Sequence, residues 1–158
     1  MRFASGIAIL LVTAAAGIAA SSSVWDGVYS KEQANRGQKA YNSQCARCHG
    51  EALLGGETAP ALVDSDFLDK WNGKSVGSLV ELTRKTMPSD GPGKLSRRLC
   101  TDIIAYLLNA NGFPAGESEL DSDAAVQNDI LIRPKRLSWQ VPAKSRRQAE
   151  SLPHTAGH

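Results

Sequence analysis

Cys45-Ala46-Arg47-Cys48-His49 is the stretch on which the reading of this chain turns. C-x-x-C-H is the attachment signature of a c-type haem. Two thiols three positions apart lie on one side of a helical turn, so both can add to the two vinyl groups of one porphyrin. The residue that follows, His49, is then held beneath the iron as an axial ligand through a ring nitrogen. One short loop fixes the cofactor covalently and fills one of its two axial positions.

Other uses of paired cysteines fit less well. Structural zinc takes four ligands, and beyond this motif the chain after its leader offers only Cys100, His154 and His158, with no second paired cluster. A thioredoxin-like pair needs a βαβ pattern around it, and none is legible. The second axial ligand has few candidates. Met1 is lost with the leader, and His154 and His158 lie in a polar tail, so Met87 is the remaining methionine. Pro88 follows it and stiffens the loop that presents the sulfur. A lone Met is otherwise core filler. Met/His ligation raises a haem potential relative to bis-His and leaves no free position for oxygen, which favours electron transfer.

The 158-residue chain opens with Arg2 and an apolar run over Ile7–Ala16, followed by small residues at Gly17, Ala19, Ala20 and Ser21. This reads as an export signal over residues 1–20, cleaved within 19–23. A retained anchor is the alternative, but the run is short against the about 20 residues that a span needs. Export places the protein in the periplasm, with no transmembrane span after cleavage. Removing Arg2 leaves 17 basic and 16 acidic residues. That near-neutral balance gives no basic face for nucleic acid. A domain of about 95 residues is marginal for burial by protein groups alone, so a buried haem is a structural body as well as a redox centre.

Helical signals dominate the remainder. Ser22–Asp26 reads as a flexible lead-in. Ser30 with Gln33 three positions on is a capping-box pattern, opening a helix over 31–44 whose stripe is Ala34, Gly37, Ala40 and Tyr41. A helical Gly costs about 1 kcal/mol against Ala; close approach of another helix would justify Gly37, and a tolerated surface position is the alternative. Leu53-Leu54-Gly55-Gly56 reads as a loop whose leucines cover the haem edge. Phe67, Leu68 and Trp71 suggest a short helix capped by Ser65 or Asp66 and stopped by Gly73. Ser75 caps a helix with Val76, Leu79, Val80 and Thr83 on its apolar face, ending at Met87-Pro88. Ser89–Gly93 is a loop. Ser96 caps the last strong helix, with Leu99, Ile103, Tyr106 and Leu107 as its stripe and Asn111-Gly112 as its end. No strand is legible. The fold class is all-α: three to five helices around a covalently bound haem, over residues 24–118. Residues 119–132 read as an extension whose Leu131 and Ile132 pack back, and 133–158 as a basic tail with little fixed structure and one possible anchor, Trp139.

In motif order and spacing, residues 30–118 resemble the class I c-type cytochromes, monohaem electron carriers of the bacterial periplasm. Gly37, Tyr41 and Cys45 fall four apart, as in that family's N-terminal helix. The resemblance implies that Gly37 and Tyr41 pack on the last helix, at Ile103 and Tyr106. It implies covalent haem c on Cys45 and Cys48, with His49 and Met87 as iron ligands. It implies that the Pro60 carbonyl accepts the His49 Nδ1–H and that the Trp71 indole N–H reaches a haem propionate, a plain core tryptophan being the alternative. The stretch 111–116 with Glu119-Leu120, continuing to 130–132, is similar to bacterial cytochromes that work beside periplasmic dehydrogenases. Two features depart from the pattern: the unpaired Cys100, read as a small buried hydrophobe with disulfide dimerisation as the alternative, and the basic tail.

The expectation is an electron carrier rather than an enzyme, cycling Fe(III)/Fe(II) between redox protein partners such as a periplasmic dehydrogenase or a terminal oxidase. The rivals are a haem subunit of a dehydrogenase complex, with the tail as docking element, and a sensor in which a small molecule displaces Met87.

Overall fold

A computed structural model describes residues 22–133. The leader, most of the basic tail, Trp139, His154 and His158 lie outside the described residues. Among the described residues six α-helices run in order: α1 (Lys31–Gln44), α2 (Ala46–His49), α3 (Asp64–Trp71), α4 (Val76–Thr86), α5 (Arg97–Ala110) and α6 (Ala124–Asn128). The count exceeds three to five because of α2 and α6, four and five residues long, too short for a periodicity to register in sequence.

The crossing of α1 on α5 is the most extensive helix pairing. Gly37 makes it possible. A Cβ there would lie 1.8 Å from the Asp102 carbonyl oxygen and 3.0 Å from Tyr106 Cβ, so the two backbones touch where only a hydrogen fits. One turn on, the rings of Tyr41 and Tyr106 tilt together at 5.4 Å. Beside them the Arg36 guanidinium bridges Asp102 (3.2 Å) and Glu119 (2.8 Å).

Capping follows local chemistry at three helices. Ser30, Ser75 and Ser96 each accept a backbone N–H three residues ahead, satisfying a donor with no intrahelical partner. The box expected at Ser30 is half formed, because Gln33 is engaged elsewhere. Its buried amide accepts from Leu120 N–H (2.7 Å) and donates to Leu120 C=O (3.1 Å), tying the extension to α1. Neither Ser65 nor Asp66 caps α3. That helix starts earlier, at Asp64 with φ +63°, after Val63, which offers no capping side chain.

The lead-in is ordered and carries a strand, against the expectation of none. β1 (Ser22–Ser23) pairs in parallel with β2 (Ile130–Leu131), Ser22 opposite Ile130. A 3₁₀ turn over Val24–Asp26 follows, in which Ser23 Oγ accepts Trp25 N–H (3.3 Å) and Asp26 accepts Ser23 N–H (2.7 Å). Trp25 meets Phe113 edge-on at 4.9 Å and donates its indole N–H to the Arg133 carbonyl at 2.9 Å. The partner strand lies more than a hundred residues away, so two residues of each carry no local signal. Leu120, Ile130 and Ile132 are buried with the helical core.

Candidate functional site

The Cys45–His49 turn grows directly out of α1. Cys45 ends α1, donating its N–H to Tyr41 C=O (2.8 Å), and opens α2 by accepting from Cys48 N–H (3.1 Å) and His49 N–H (3.0 Å). These bonds put the two thiols and the imidazole on one turn. Tyr41 locks the exit by donating its O–H to the Gly50 carbonyl at 2.6 Å. The chain then doubles back through 50–62, closed by Gly55 N–H to His49 C=O (2.9 Å) and Leu62 N–H to Leu53 C=O (2.7 Å). Gly55 is obligatory in that fold-back. Its φ is +77°, and a Cβ would lie 2.6–2.7 Å from Ala61 N, Ala59 O and Pro60 C, where an L side chain is excluded twice over.

The fold-back delivers Pro60 to His49. The Pro60 carbonyl oxygen lies 2.9 Å from His49 Nδ1. A carbonyl can only accept, so this bond requires a proton on Nδ1; in the neutral ring the lone pair then lies on Nε2, the form in which imidazole binds a metal. His49 is itself buried.

His49 and Pro60 border a cavity of about 230 Å³ whose wall includes all six residues singled out in the sequence: Cys45, Cys48, His49, Pro60, Trp71 and Met87. They come from α1/α2, the fold-back, α3 and the end of α4. Leu62, Leu79, Leu82, Ile103 and Leu107 supply apolar wall. Leu53 and Leu54 do not. Leu53, at φ +62°, is turned into the core, and Leu54 points to solvent. Met87 closes α4, its N–H donating to Thr83 C=O at 2.9 Å, and is half-buried. Trp71 is buried, with the Lys74 ammonium 5.2 Å from its ring centroid, a cation–π distance.

Burial pushes the Cys45 thiol up to about 11, with Cys100 and Cys48 adding, whereas a reactive redox cysteine is held below its ordinary value. Cys100 is fully buried on α5, and burial raises it too. Among the described residues no group of three or more His, Cys, Asp or Glu side chains is arranged to hold a metal ion. Two thiols, an imidazole with free Nε2, a thioether and an apolar wall are a donor set that fits haem c.

The sequence marks Gln33 only as a capping partner and gives no sign of its clasp on Leu120, of the buried Gln127 amide that donates to Thr101 Oγ1 (2.9 Å) and the Asp121 carbonyl (2.7 Å), or of the ion pair that joins Arg47, inside the motif, to Asp90, beyond Met87. A buried Gln among surface-like residues gives no periodic signal. The pair spans residues far apart in sequence.

Fold and site together are those of a c-type cytochrome domain, the kind that carries covalent haem c. Residues 32–107 match the family model described as cytochrome c oxidase, cbb3-type, subunit III. The chain is 26% identical over 110 residues to the cbb3-type cytochrome c oxidase subunit CcoP of Rhodobacter capsulatus, covering 62% of this chain and 37% of that protein. It is 30% identical over 112 residues to photosystem II extrinsic protein V of Emiliania huxleyi, covering 68% and 64%. Among solved structures it is similar to the sulfane dehydrogenase SoxCD of Paracoccus pantotrophus, at 23% identity and TM-score 0.42, covering 60% of this chain and 55% of that one. The chain therefore spans between about a third and two thirds of the length of these curated relatives. Among the described residues no helix is long and apolar enough to cross a membrane.

Proposed function

We propose that the chain is a monohaem electron carrier of the periplasm, with Cys45 and Cys48 holding the porphyrin and His49 and Met87 as its two axial ligands. The observation that carries this reading is the single cavity lined by both thiols, the imidazole, the thioether, Pro60 and Trp71. When bound, haem iron supplies one-electron Fe(III)/Fe(II) chemistry. The protein's part is positional. The Pro60 carbonyl fixes the His49 tautomer and ring plane and raises the basicity of the free nitrogen. Met87 would supply its thioether as the iron's other ligand, which would favour the reduced state relative to a second histidine and leave no place for oxygen. Leu62, Leu79, Ile103 and Leu107 keep water from the ring face. The Trp71 indole is available as donor to a propionate. Residues 24–118 are the working domain, 119–132 an extension and 133–158 a basic tail. The apolar leader over Ile7–Ala16 supports export, where c-type haem is attached.

Absorption spectra test the reading. Reduced protein should give the sharp bands of a low-spin, thioether-linked haem. Met87→Ala should convert the ferric form to high spin and open it to carbon monoxide when reduced. A five-coordinate, high-spin wild type at neutral pH would sink the Met87 assignment.

A second reading makes the chain the cytochrome c subunit of a larger oxidoreductase, a terminal oxidase or a dehydrogenase. It is favoured by the likeness to CcoP, named as an oxidase subunit. Co-purification with a larger redox protein supports it, and a free monomer that exchanges electrons with several partners counts against it.

A further inference from the structure

The loop that carries Met87 is weakly held. Met87 N–H donates back to α4, and Gly91 N–H donates to Pro88 C=O (2.9 Å) within the loop itself. Ser89, Asp90, Pro92, Gly93 and Lys94 are exposed, with Gly91 buried among them, before Leu95 returns to the core. Among the described residues, one side-chain bond ties 87–94 to another part of the fold: Asp90 accepts from Arg47. Arg47 stands between the two motif cysteines, and Asp90 stands three residues past Met87. Both line the cavity, so their bond spans its rim from the side of the thiols and imidazole to the side of the thioether.

We propose that the Arg47–Asp90 ion pair is a staple that holds the Met87 loop shut and sets how often an outside ligand reaches the position Met87 covers. This rests on Met87 being the axial ligand. The loop opens as a local event, because it has few buried contacts and little cross-bonding. Removing the one side-chain hydrogen bond that ties it to the rest of the fold raises the open population without touching the α1–α5 crossing. Both side chains are more than half exposed, so the staple is a surface ion pair. Its effect on opening is limited to about threefold to fivefold and fades as salt screens it.

The test uses haem-loaded protein and two readouts. Asp90→Asn should speed hydrogen exchange at the Met87 and Gly91 amides about threefold to fivefold in low salt, leaving the α5 amides unchanged. It should speed imidazole binding to the ferric protein by the same factor, and both differences should vanish in high salt. The double exchange Arg47→Glu with Asp90→Arg should restore wild-type behaviour. Asp90→Asn matching wild type in both measurements at low salt overturns the staple. Met87→Ala supplies the separate control. If wild type binds imidazole as fast as Met87→Ala, the axial assignment fails and takes the gating role with it, while the exchange data alone still decide whether the tether holds the loop.

Discussion

Gly37→Ala is the sharpest probe of this fold. The new Cβ would sit 1.8 Å from the Asp102 carbonyl oxygen and 2.5 Å from its carbon, both backbone atoms. Backbone on α5 cannot swing aside as a side-chain tip can. Restoring even a 3.0 Å contact requires α1 and α5 to part by about 1.2 Å, the gap between that and 1.8 Å. A shift of that size forfeits a quarter to a half of each dispersion contact along the seam, and overpacking of this kind costs about 1–3 kcal/mol by itself. Alanine recovers about 1 kcal/mol of helix propensity. Overpacking less the propensity gain leaves a loss of up to about 2 kcal/mol, or roughly 8–16 °C in Tm for a domain of this size, to which the forfeited dispersion adds. Thermal unfolding of the haem-loaded protein, followed by circular dichroism, measures it. Gly73→Ala is the control: φ is +77° and nothing lies within 4 Å, so only the left-handed conformation is penalised, by about 1 kcal/mol. A Gly37→Ala protein as stable as its parent would refute the close crossing.

Three further outcomes follow from the hydrogen-bond and charge pattern. Gln33→Leu leaves the Leu120 N–H and C=O without the partners they have in the fold; about 1–3 kcal/mol is expected for each buried group left unpaired, read as a lower denaturant midpoint at unchanged slope. Arg84 and Lys85 hold the Glu81 carboxylate down at about 2, and Arg97 adds a third contact at 2.6 Å. The unfolded chain therefore takes up this proton first, so stability falls as pH drops from the ordinary range near 4.5 towards 2, and Glu81→Gln should flatten that part of a stability–pH curve. Burial pushes the Tyr41 phenol up to about 12, with Cys45 and Tyr106 adding. Here the unfolded chain loses its proton first, so stability falls as pH rises from about 10 to 12. Tyr41→Phe should remove that slope while losing the bond to Gly50 C=O, and an ultraviolet titration of the native protein should show a phenol that ionises only near 12.

Much of the site is legible along the chain because its information is local. Cys45, Cys48 and His49 occupy one turn, and Ser30, Ser75 and Ser96 announce helices through bonds only three residues long. The apolar stripes of α4 and α5 repeat at helical spacing and so declare which faces turn inward. What the sequence by itself determined is thus the helical class, the donor types and their order: thiol, thiol, imidazole, thioether. The tertiary structure alone decided that Gln33 clasps Leu120, that Ser22–Ser23 finds Ile130–Leu131 and that Arg47 spans to Asp90, and it gave the approach of Pro60 to Nδ1 and of Gly37 to α5, which the resemblance implied, their distances. Each of these joins residues brought together by packing rather than by spacing along the chain. A side chain's type fixes what bonds it can make, but which distant group stands within 3 Å of it is set only when the helices close on one another.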